Sequence, residues 1–295
     1  MELVKKYPPH ISSENTTSKV MSHVIISLLP TLAVGGMIFG GRALMLTGFC
    51  VLTAMLWELI CGLITKRGNT TDDLSAAVSG MIFAMTLSSA TPFWIAGLGT
   101  LMSVVVFKQL FGGLGKNILN PAMASRLCLG LIFPKQMNVY LMPFTNYYEF
   151  TTAPTPLETG DAEYFDLLMG SVAGAIGEVS KIALFAGAVY LVAMKVIDGF
   201  APLMYMLTVF VLSTAIGKDG LYDLLAGGVV FAAIYMASDY TTTPLTGFGK
   251  VIFGMFCGAI TCAIRYFTPI GNEVAIAILV MNLAAPLIDR VTEKK

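Results

Sequence analysis

Residues 43–65 read ALMLTGFCVLTAMLWELICGLIT, an unbroken apolar run of 23 residues in which Glu58 is the only charged residue. About 20 apolar residues, each rising about 1.5 Å along a helix, are enough to cross the hydrocarbon core of a bilayer. The chain as a whole is 56% apolar and 12% charged, whereas soluble domains carry about a quarter charged residues. We therefore predict an all-α polytopic membrane protein.

Similar apolar runs predict about ten transmembrane helices, and the third to the sixth are short enough that a count of eight or nine stays open. The runs lie at about 20–40, 43–65, 74–90, 92–107, 118–134, 180–195, 199–216, 222–238, 248–264 and 271–288. The predicted organisation is a cytoplasmic tail (1–19), a first transmembrane half (20–134), an extracytoplasmic loop (135–179), a second transmembrane half (180–288) and a cytoplasmic tail (289–295). Residues 1–19 lack the apolar core of a signal peptide and therefore form a polar tail.

The distribution of lysine and arginine predicts the orientation, because loops on the cytoplasmic side of a membrane are enriched in these residues. With the N-terminus in the cytoplasm, twelve cations fall inside, five fall outside, and Arg126 lies within a span. The inside set is Lys5, Lys6, Lys19, Lys66, Arg67, Lys108, Lys116, Lys195, Lys250, Arg290, Lys294 and Lys295, and the outside set is Arg42, Lys135, Lys181, Lys218 and Arg265. Both termini are therefore predicted to be cytoplasmic, and the long loop faces outward.

A weak internal echo at a spacing of 150 residues predicts two related halves. Asp73-Leu74 and Asp223-Leu224 each open a predicted span, and GLGTLM (97–102) corresponds to GFGKVI (247–252). Five spans in each half make the repeat inverted, as in many transport proteins.

Composition excludes several classes of function. The net charge is zero and no basic domain is present, which argues against nucleic acid as a partner. The five cysteines lie in apolar segments without the clustering that a metal or iron–sulfur site requires. We expect no metal site.

The segment FKQLFGGLGKNILNPAM (107–123) combines three glycines with two asparagines and a proline. Glycine permits turns that other residues resist, and asparagine followed by proline is typical of a helix start. Two interpretations stay open, a tight cytoplasmic turn and an irregular backbone segment beside a cavity. The tripeptide Asn-Pro-Ala (120–122) also raises a channel as an alternative, although such motifs occur in pairs and only one copy is present.

Three ionisable residues are candidates for an ion path, because charges inside a membrane are costly and usually functional or paired. Glu58 and Arg126 lie within predicted spans, both in the cytoplasmic half of the membrane, so we expect either that they pair with each other or that they serve an ion path. Asp239 ends the eighth span, where it and the following threonines cap a broken helix or line a cavity.

Three segments place hydroxyl side chains beside proline: TTAPTPLE (151–158), SSATPF (88–93) and TTTPLT (241–246). The last two fall between adjacent spans and have the composition of turns. The first lies in the long loop, where an otherwise apolar chain becomes polar.

Nearly the whole chain resembles the family of membrane subunits that includes RnfD of the Rnf ferredoxin:NAD oxidoreductase complex and, more distantly, NqrB of the sodium-pumping NADH:quinone reductase. The resemblance lies in PPHISSENTTSKVM (8–21), KQLFGGLGKNILNPAM (108–123), MASDYTTTPLTGFGKVIFG (236–254) and MNLAAPLID (281–289).

The resemblance implies that FMN is esterified through its phosphate to a threonine of the long loop. The family pattern, Ser/Thr-x-Ala-Thr followed by Pro-Leu, places the acceptor at Thr155, with Pro154 standing where the family has alanine. Thr152 or Thr151 is the fallback, and Thr91 in SSATPF ranks below them. The resemblance leaves open a second, non-covalent flavin such as riboflavin.

The implied function is electron carriage in a complex that couples electron transfer between ferredoxin and NAD⁺ to translocation of Na⁺ or H⁺. The implied partners are the iron–sulfur, flavin and membrane subunits of that complex, a flavin transferase for maturation, and the lipid of a bacterial or archaeal cytoplasmic membrane. No catalytic acid or base is expected, because the cofactor carries the chemistry. Two alternatives are a solute channel or transporter on the same inverted repeat, and a structural subunit whose flavin site is vestigial.

Overall fold

The chain is helical almost throughout in a computed structural model that describes residues 16–65, 71–145, 151–268 and 271–292. Within those ranges the only β-structure is an isolated bridge between Leu141 and Thr152. The all-α prediction is confirmed.

Each half of the chain consists of helical elements joined by connecting segments. The first half contains α1 (Thr17–Phe39), α2 (Gly41–Thr65), a 3₁₀ turn (Thr71–Asp73), α3 (Ser75–Met85), α4 (Phe93–Leu101), a π-helix (Met102–Gln109) that continues α4, and α5 (Pro121–Ile132). The connection between the halves carries three short helices, α6 (Pro134–Met137), α7 (Pro156–Thr159) and α8 (Tyr164–Met169). The second half contains α9 (Lys181–Ala193), α10 (Phe200–Ala215), α11 (Gly220–Leu225), α12 (Val229–Tyr235), α13 (Gly247–Phe267) and α14 (Glu273–Thr292).

Among the described residues, four helices are long and apolar enough to cross a membrane, namely α1, α2, α13 and α14. Five further apolar segments of 10–17 residues coincide with the predicted third to seventh spans. The eighth predicted span is not one helix but two, α11 and α12, which are separated at Gly227, whose φ of 71° lies in the left-handed region. The third span is also shorter than predicted, because α3 ends at Met85.

The helices of the two halves run in opposite directions. Met21 near the start of α1 and Asn120 at the start of α5 line one cavity, whereas Lys181 and Glu273, at the starts of α9 and α14, line another. We call the side that bears the turn 110–120 the turn face, and the side that bears residues 133–145 and 151–180 the loop face. Helix α1 begins on the turn face, and α14 ends there. Both ends of the described chain therefore lie on the face opposite to the long loop.

Helices α10 and α13 pack closely against each other, because small residues lie between them. A Cβ atom on Gly254 would lie 2.5 Å from the Ala201 carbonyl oxygen, and one on Gly258 would lie 2.7 Å from the Thr208 Cβ. Small residues spaced four apart allow two membrane helices to approach backbone to backbone.

The glycine-rich turn at 110–120 leads from the π-helix into α5. Gly112, Gly113 and Gly115 adopt positive φ angles, and the side chain of Asn120 accepts a hydrogen bond from the Met123 N–H, which caps α5 as predicted.

Two asparagines of this turn contact the second half. The Asn117 amide donates to the Thr241 hydroxyl at 2.9 Å, and Asn282 of α14 accepts from the Asn120 N–H at 3.0 Å and donates to the Thr242 carbonyl at 3.2 Å. Because Asn117 and Asn120 are buried, the segment is packed against the second half of the protein and is not a turn on the surface.

Several predictions concern residues outside the described ranges. These are the N-terminal residues 1–15, the connection 66–70 and the last residues 293–295, which include Lys5, Lys6, Lys66, Arg67, Lys294 and Lys295.

Two cations that were counted with the polar ends of the spans are buried in helices. Lys108 lies in the π-helix, and Lys181 is the first residue of α9.

Candidate functional site

A cavity of about 950 Å³ opens beneath the long loop, and we call it the loop cavity. Its walls come from the loop segment 155–164, from the segment 172–181 that leads into α9, from the first half of α5, from α11, and from the ends of α13 and α14 that reach the loop face. Its volume lies at the upper end of the range of about 300–1,000 Å³ that ligand-binding pockets occupy.

Hydrogen bonds hold the TTAPTPLE segment in place over this cavity. The Met142 N–H donates to the Thr151 carbonyl at 2.9 Å, and the Ala153 N–H donates to the Tyr140 carbonyl at 3.1 Å. These two bonds form a short antiparallel pairing that fixes the chain up to Thr155.

The residues after Thr155 are fixed by a short helix and a tyrosine. The Glu158 carboxylate accepts from the Thr155 N–H at 3.0 Å, and Pro156 occupies the first position of α7, where its missing N–H costs nothing. The Tyr222 hydroxyl of α11 donates to the Pro156 carbonyl at 2.8 Å. Thr155 is therefore held in an ordered backbone segment at the rim of the loop cavity.

The threonines that compete with Thr155 differ in their surroundings. Thr155 lines the cavity, whereas Thr151 and Thr152 are exposed and lie outside its lining. Thr91 is fully buried, and its hydroxyl has no hydrogen-bond partner among the described residues. Residues 88–92 form a turn between helices, as predicted, and the hydroxyl-bearing residues Ser88, Ser89 and Thr91 are buried rather than accessible.

Arg126 of α5 lies at the floor of the same cavity and is 8% exposed. Its Nε donates to the Thr86 carbonyl at 3.1 Å, and its Nη2 lies 3.5 Å from the Tyr140 hydroxyl. Its Nη1 has no partner among the described residues. Thr155 and Arg126 thus line the same cavity. Tyr140 contacts both Arg126 and the segment that carries Thr155.

Two other cations of the loop cavity, Arg265 and Lys181, have hydrogen-bond partners. Arg265 donates to Glu273 at 3.1 Å and lies 3.9 Å from the nearer Asp223 carboxylate oxygen. The Lys181 ammonium donates to the carbonyls of Glu178 and, at 3.1 Å, Gly227. Burial raises the pKa of the Glu178 carboxyl, and the positive charges of Lys181 and Arg126 oppose that shift.

Glu58 does not pair with Arg126, so that expectation was wrong. The Lys108 ammonium donates to Glu58 Oε2 at 2.6 Å and to the Ser75 hydroxyl at 2.6 Å, and Gln109 donates to Glu58 Oε1 at 3.1 Å. The two charged side chains are buried, 1% exposed for Glu58 and 3% for Lys108. Arg126 instead lines the loop cavity, whereas Glu58 is held by Lys108, which lines a smaller cavity on the turn face.

Asp239 lies on the turn face, in the connection between α12 and α13. Its carboxylate accepts from the Thr241 N–H at 3.3 Å and from the hydroxyls of Thr241 and Thr242 at 3.2 and 3.3 Å. It lines a second cavity of about 100 Å³, the turn cavity, together with Lys108 and Asn117. Asp239 and Lys108, the ion-pair partner of Glu58, therefore line the same cavity, whereas Arg126 lines the loop cavity.

Sequence reasoning missed several residues of the loop cavity. Tyr140 and Tyr222 lie in segments with no motif, and their roles come from tertiary contacts. Glu178 and Lys181 stand one turn apart at the start of an apolar run, which is a sequence signal for buried charge at a membrane boundary.

Comparison with known proteins gives a consistent result over the whole chain. The family described as NQR2, RnfD, RnfE matches residues 4–295. A similar protein from Acetobacterium woodii, the D subunit of a Na⁺-translocating ferredoxin:NAD⁺ oxidoreductase complex, is 36% identical over 100% of this chain and 95% of its own length.

Two further relatives have related names. The D subunit of a proton-translocating ferredoxin:NAD⁺ oxidoreductase complex from Clostridium ljungdahlii is 31% identical over 97% of this chain and 93% of its own length. The D subunit of an ion-translocating oxidoreductase complex from Stutzerimonas stutzeri is 30% identical over 94% of this chain and 91% of its own length.

Proposed function

The chain belongs to the NQR2, RnfD, RnfE family, and on that premise we propose that it is the flavin-bearing membrane subunit of an ion-translocating ferredoxin:NAD⁺ oxidoreductase complex. In this proposal FMN is attached through its phosphate to the Thr155 hydroxyl. The observation that carries the proposal is the position of Thr155 on an ordered segment at the rim of a cavity of about 950 Å³.

The residues of the loop cavity fit a bound flavin. Thr155 offers a hydroxyl on an ordered segment, and a transferase must be able to reach this hydroxyl. The cavity below has the volume for a cofactor of this size. Arg126 offers an N–H without a protein partner among the described residues at the cavity floor. When bound, the flavin supplies electron transfer between redox centres held by partner subunits, and the protein positions it.

The other proposed partners follow from the names of the relatives, each of which is one subunit of a complex. Ferredoxin supplies the electrons, NAD⁺ accepts them, and Na⁺ or H⁺ crosses the membrane. Moving one charge against 100 mV costs about 2.3 kcal/mol, while an electron pair falling through 100 mV releases about 4.6 kcal/mol. A potential drop of this order is enough to move an ion. One relative is named for Na⁺ and another for H⁺, so we leave the ion open.

The proposed location is the cytoplasmic membrane of a bacterium or archaeon, with both termini inside and the long loop outside. The excess of cations on the side of the termini supports this orientation. Both ends of the described chain share the face opposite to Thr155, so the loop lies outside if the termini lie inside.

The competing function, a solute channel or transporter without a redox role, gains no support. The loop cavity and the turn cavity share no lining residue, and the relatives described above are named as oxidoreductase subunits. The turn cavity, at about 100 Å³, falls below the usual size of ligand pockets, so we propose no second flavin there.

The proposal is tested by expressing the full chain together with its flavin transferase and examining flavin fluorescence on a denaturing gel. We expect Thr155→Ala to abolish the fluorescence of this subunit entirely, because no hydroxyl remains to form the phosphoester. Alanine keeps the backbone N–H that donates to Glu158, so the variant should still insert and purify.

The matched control is Thr152→Ala, three residues earlier on the same segment. We expect it to retain full fluorescence, because Thr152 is exposed and lies outside the cavity lining. Fluorescence that persists in Thr155→Ala and disappears in Thr152→Ala would move the attachment to Thr152. A wild-type band without fluorescence would contradict the flavin proposal as a whole.

A further inference from the structure

Arg126 is a buried cation that has no carboxylate within ion-pair distance among the described residues, and Glu178, which lines the same cavity, is the carboxylate with which its charge interacts. Among the described residues it forms no ion pair, and its two hydrogen-bond partners, the Thr86 carbonyl and the Tyr140 hydroxyl, are both neutral. Its Nη1 is buried and, within the described ranges, unpartnered, although it lies beside a large cavity. An unpaired charge in such a place is costly unless an occupant of the cavity supplies negative charge or hydrogen-bond acceptors.

The neighbouring cations are not equivalent to Arg126. Arg265 is neutralised by Glu273 and Asp223, and the Lys181 ammonium is committed to two carbonyls. Lys218 is exposed at the cavity edge. Among the cations described in this cavity, Arg126 is therefore the buried one whose N–H can still donate a hydrogen bond to a ligand and whose charge is not part of an ion pair.

We propose that Arg126 is the residue that faces the isoalloxazine ring of the flavin and raises its reduction potential. This inference rests on the proposed attachment of FMN to Thr155. The acceptor edge of the ring, N1 and the C2 carbonyl, is the part that a guanidinium N–H contacts, and charge near this edge tunes the electronics of a flavin.

The direction of the effect follows from charge balance. Uptake of two electrons and one proton converts the neutral ring to a monoanion, with the negative charge on the N1–C2 carbonyl edge. A guanidinium beside that edge stabilises the monoanion more than the neutral ring, because opposite charges within a few ångströms favour the charged form. The reduced state is therefore favoured, and the reduction potential rises.

Tyr140 connects the attachment point to the floor of the cavity. Its carbonyl accepts from the Ala153 N–H, two residues before Thr155, and its hydroxyl lies 3.5 Å from Arg126 Nη2. The segment that carries Thr155 and the Arg126 guanidinium thus both contact Tyr140.

The experiment is a redox titration of the covalent flavin in the full-length, flavinylated subunit, followed by visible absorption. We expect Arg126→Gln to lower the equilibrium constant for two-electron reduction by about tenfold to a hundredfold, which is about 30 to 60 mV in midpoint potential. Arg126→Lys keeps the cation, and its potential should lie between those of Arg126→Gln and the wild type. Lys135→Gln removes an exposed cation from the same face and should leave the potential unchanged.

Fluorescence on a denaturing gel and a single elution peak establish that each variant is folded and flavinylated. Should Arg126→Gln not accumulate, Arg126→Met fills the same space without charge and serves for the same titration. An unchanged potential in the neutral variant, with flavin still attached to Thr155, would overturn this inference and leave the proposed function intact. A wild-type chain without covalent flavin would instead overturn the proposed function.

Discussion

Glu58 and Lys108 form an ion pair that is enclosed between α2 and the π-helix. The N–O distance is 2.6 Å, and both side chains are almost without exposure. Removing one partner from a buried pair costs about 3–5 kcal/mol, because the other charge is left uncompensated. We therefore expect Glu58→Gln to lower the thermal unfolding temperature of the purified protein strongly, and Glu58→Gln combined with Lys108→Gln to recover most of the loss.

The surface ion pair between Lys250 and Asp198 provides the matched control. Such exposed pairs contribute about 0–1 kcal/mol, so Asp198→Asn should leave the unfolding temperature nearly unchanged. Equal unfolding temperatures for Glu58→Gln and Asp198→Asn would contradict a structural role for the buried pair. A role of Glu58 in the ion path stays a prediction.

Single residues could be predicted where local chemistry decides their role. Thr155 stood out because a polar, proline-bounded segment interrupts an apolar chain, and Asn120 because an asparagine before proline starts a helix. Partners could not be predicted in the same way. Glu58 meets Lys108 because the helix continues past residue 107 as a π-helix to Gln109, and hydropathy does not show where a helix changes type.

At the scale of the elements, the lengths of the apolar runs predicted where the spans lie, but they did not predict where a helix is broken. The long helices α1, α2, α13 and α14 coincide with predicted runs to within a few residues. The run 222–238 was predicted as one span because its residues are almost all apolar. Its break comes from the positive φ of Gly227, beside which the Leu157 side chain packs. That contact is made by the distant loop, so the local pattern does not reveal it.

The elements at 86–92 and 236–246 share a further property. Each of these segments follows a short helix, and each has polar side chains that are buried against other parts of the protein. Irregular backbone survives at such depth only where protein covers it. The composition of these segments predicted turns, but burial of a turn depends on the packing of all ten predicted spans.

At the scale of the whole molecule, the two halves run antiparallel and place the loop and the chain ends on opposite faces. We expect a cysteine at Asp161, which is exposed on the loop face, to react with a membrane-impermeant thiol reagent in intact cells. A cysteine at Lys116, exposed on the turn face, should react only after the membrane is opened.

Both variants belong in a background without the five native cysteines, two of which are partly accessible. The opposite labelling pattern would reverse the proposed orientation and place Thr155 in the cytoplasm. The internal echo predicted the antiparallel halves, since five crossings per half invert the second. The loop cavity could not be predicted, because its walls come from both halves and from the connection between them.

Peptide mass spectrometry of the wild-type chain, purified after expression with its flavin transferase, tests the central claim most directly. We predict that the peptide containing residues 151–158 carries the mass of FMN less one water. Fragment ions should place that mass on Thr155, because this hydroxyl stands at the rim of the loop cavity on an ordered backbone segment. Complete recovery of this peptide without added mass, or an adduct localised to Thr91 or Thr152, would contradict the account.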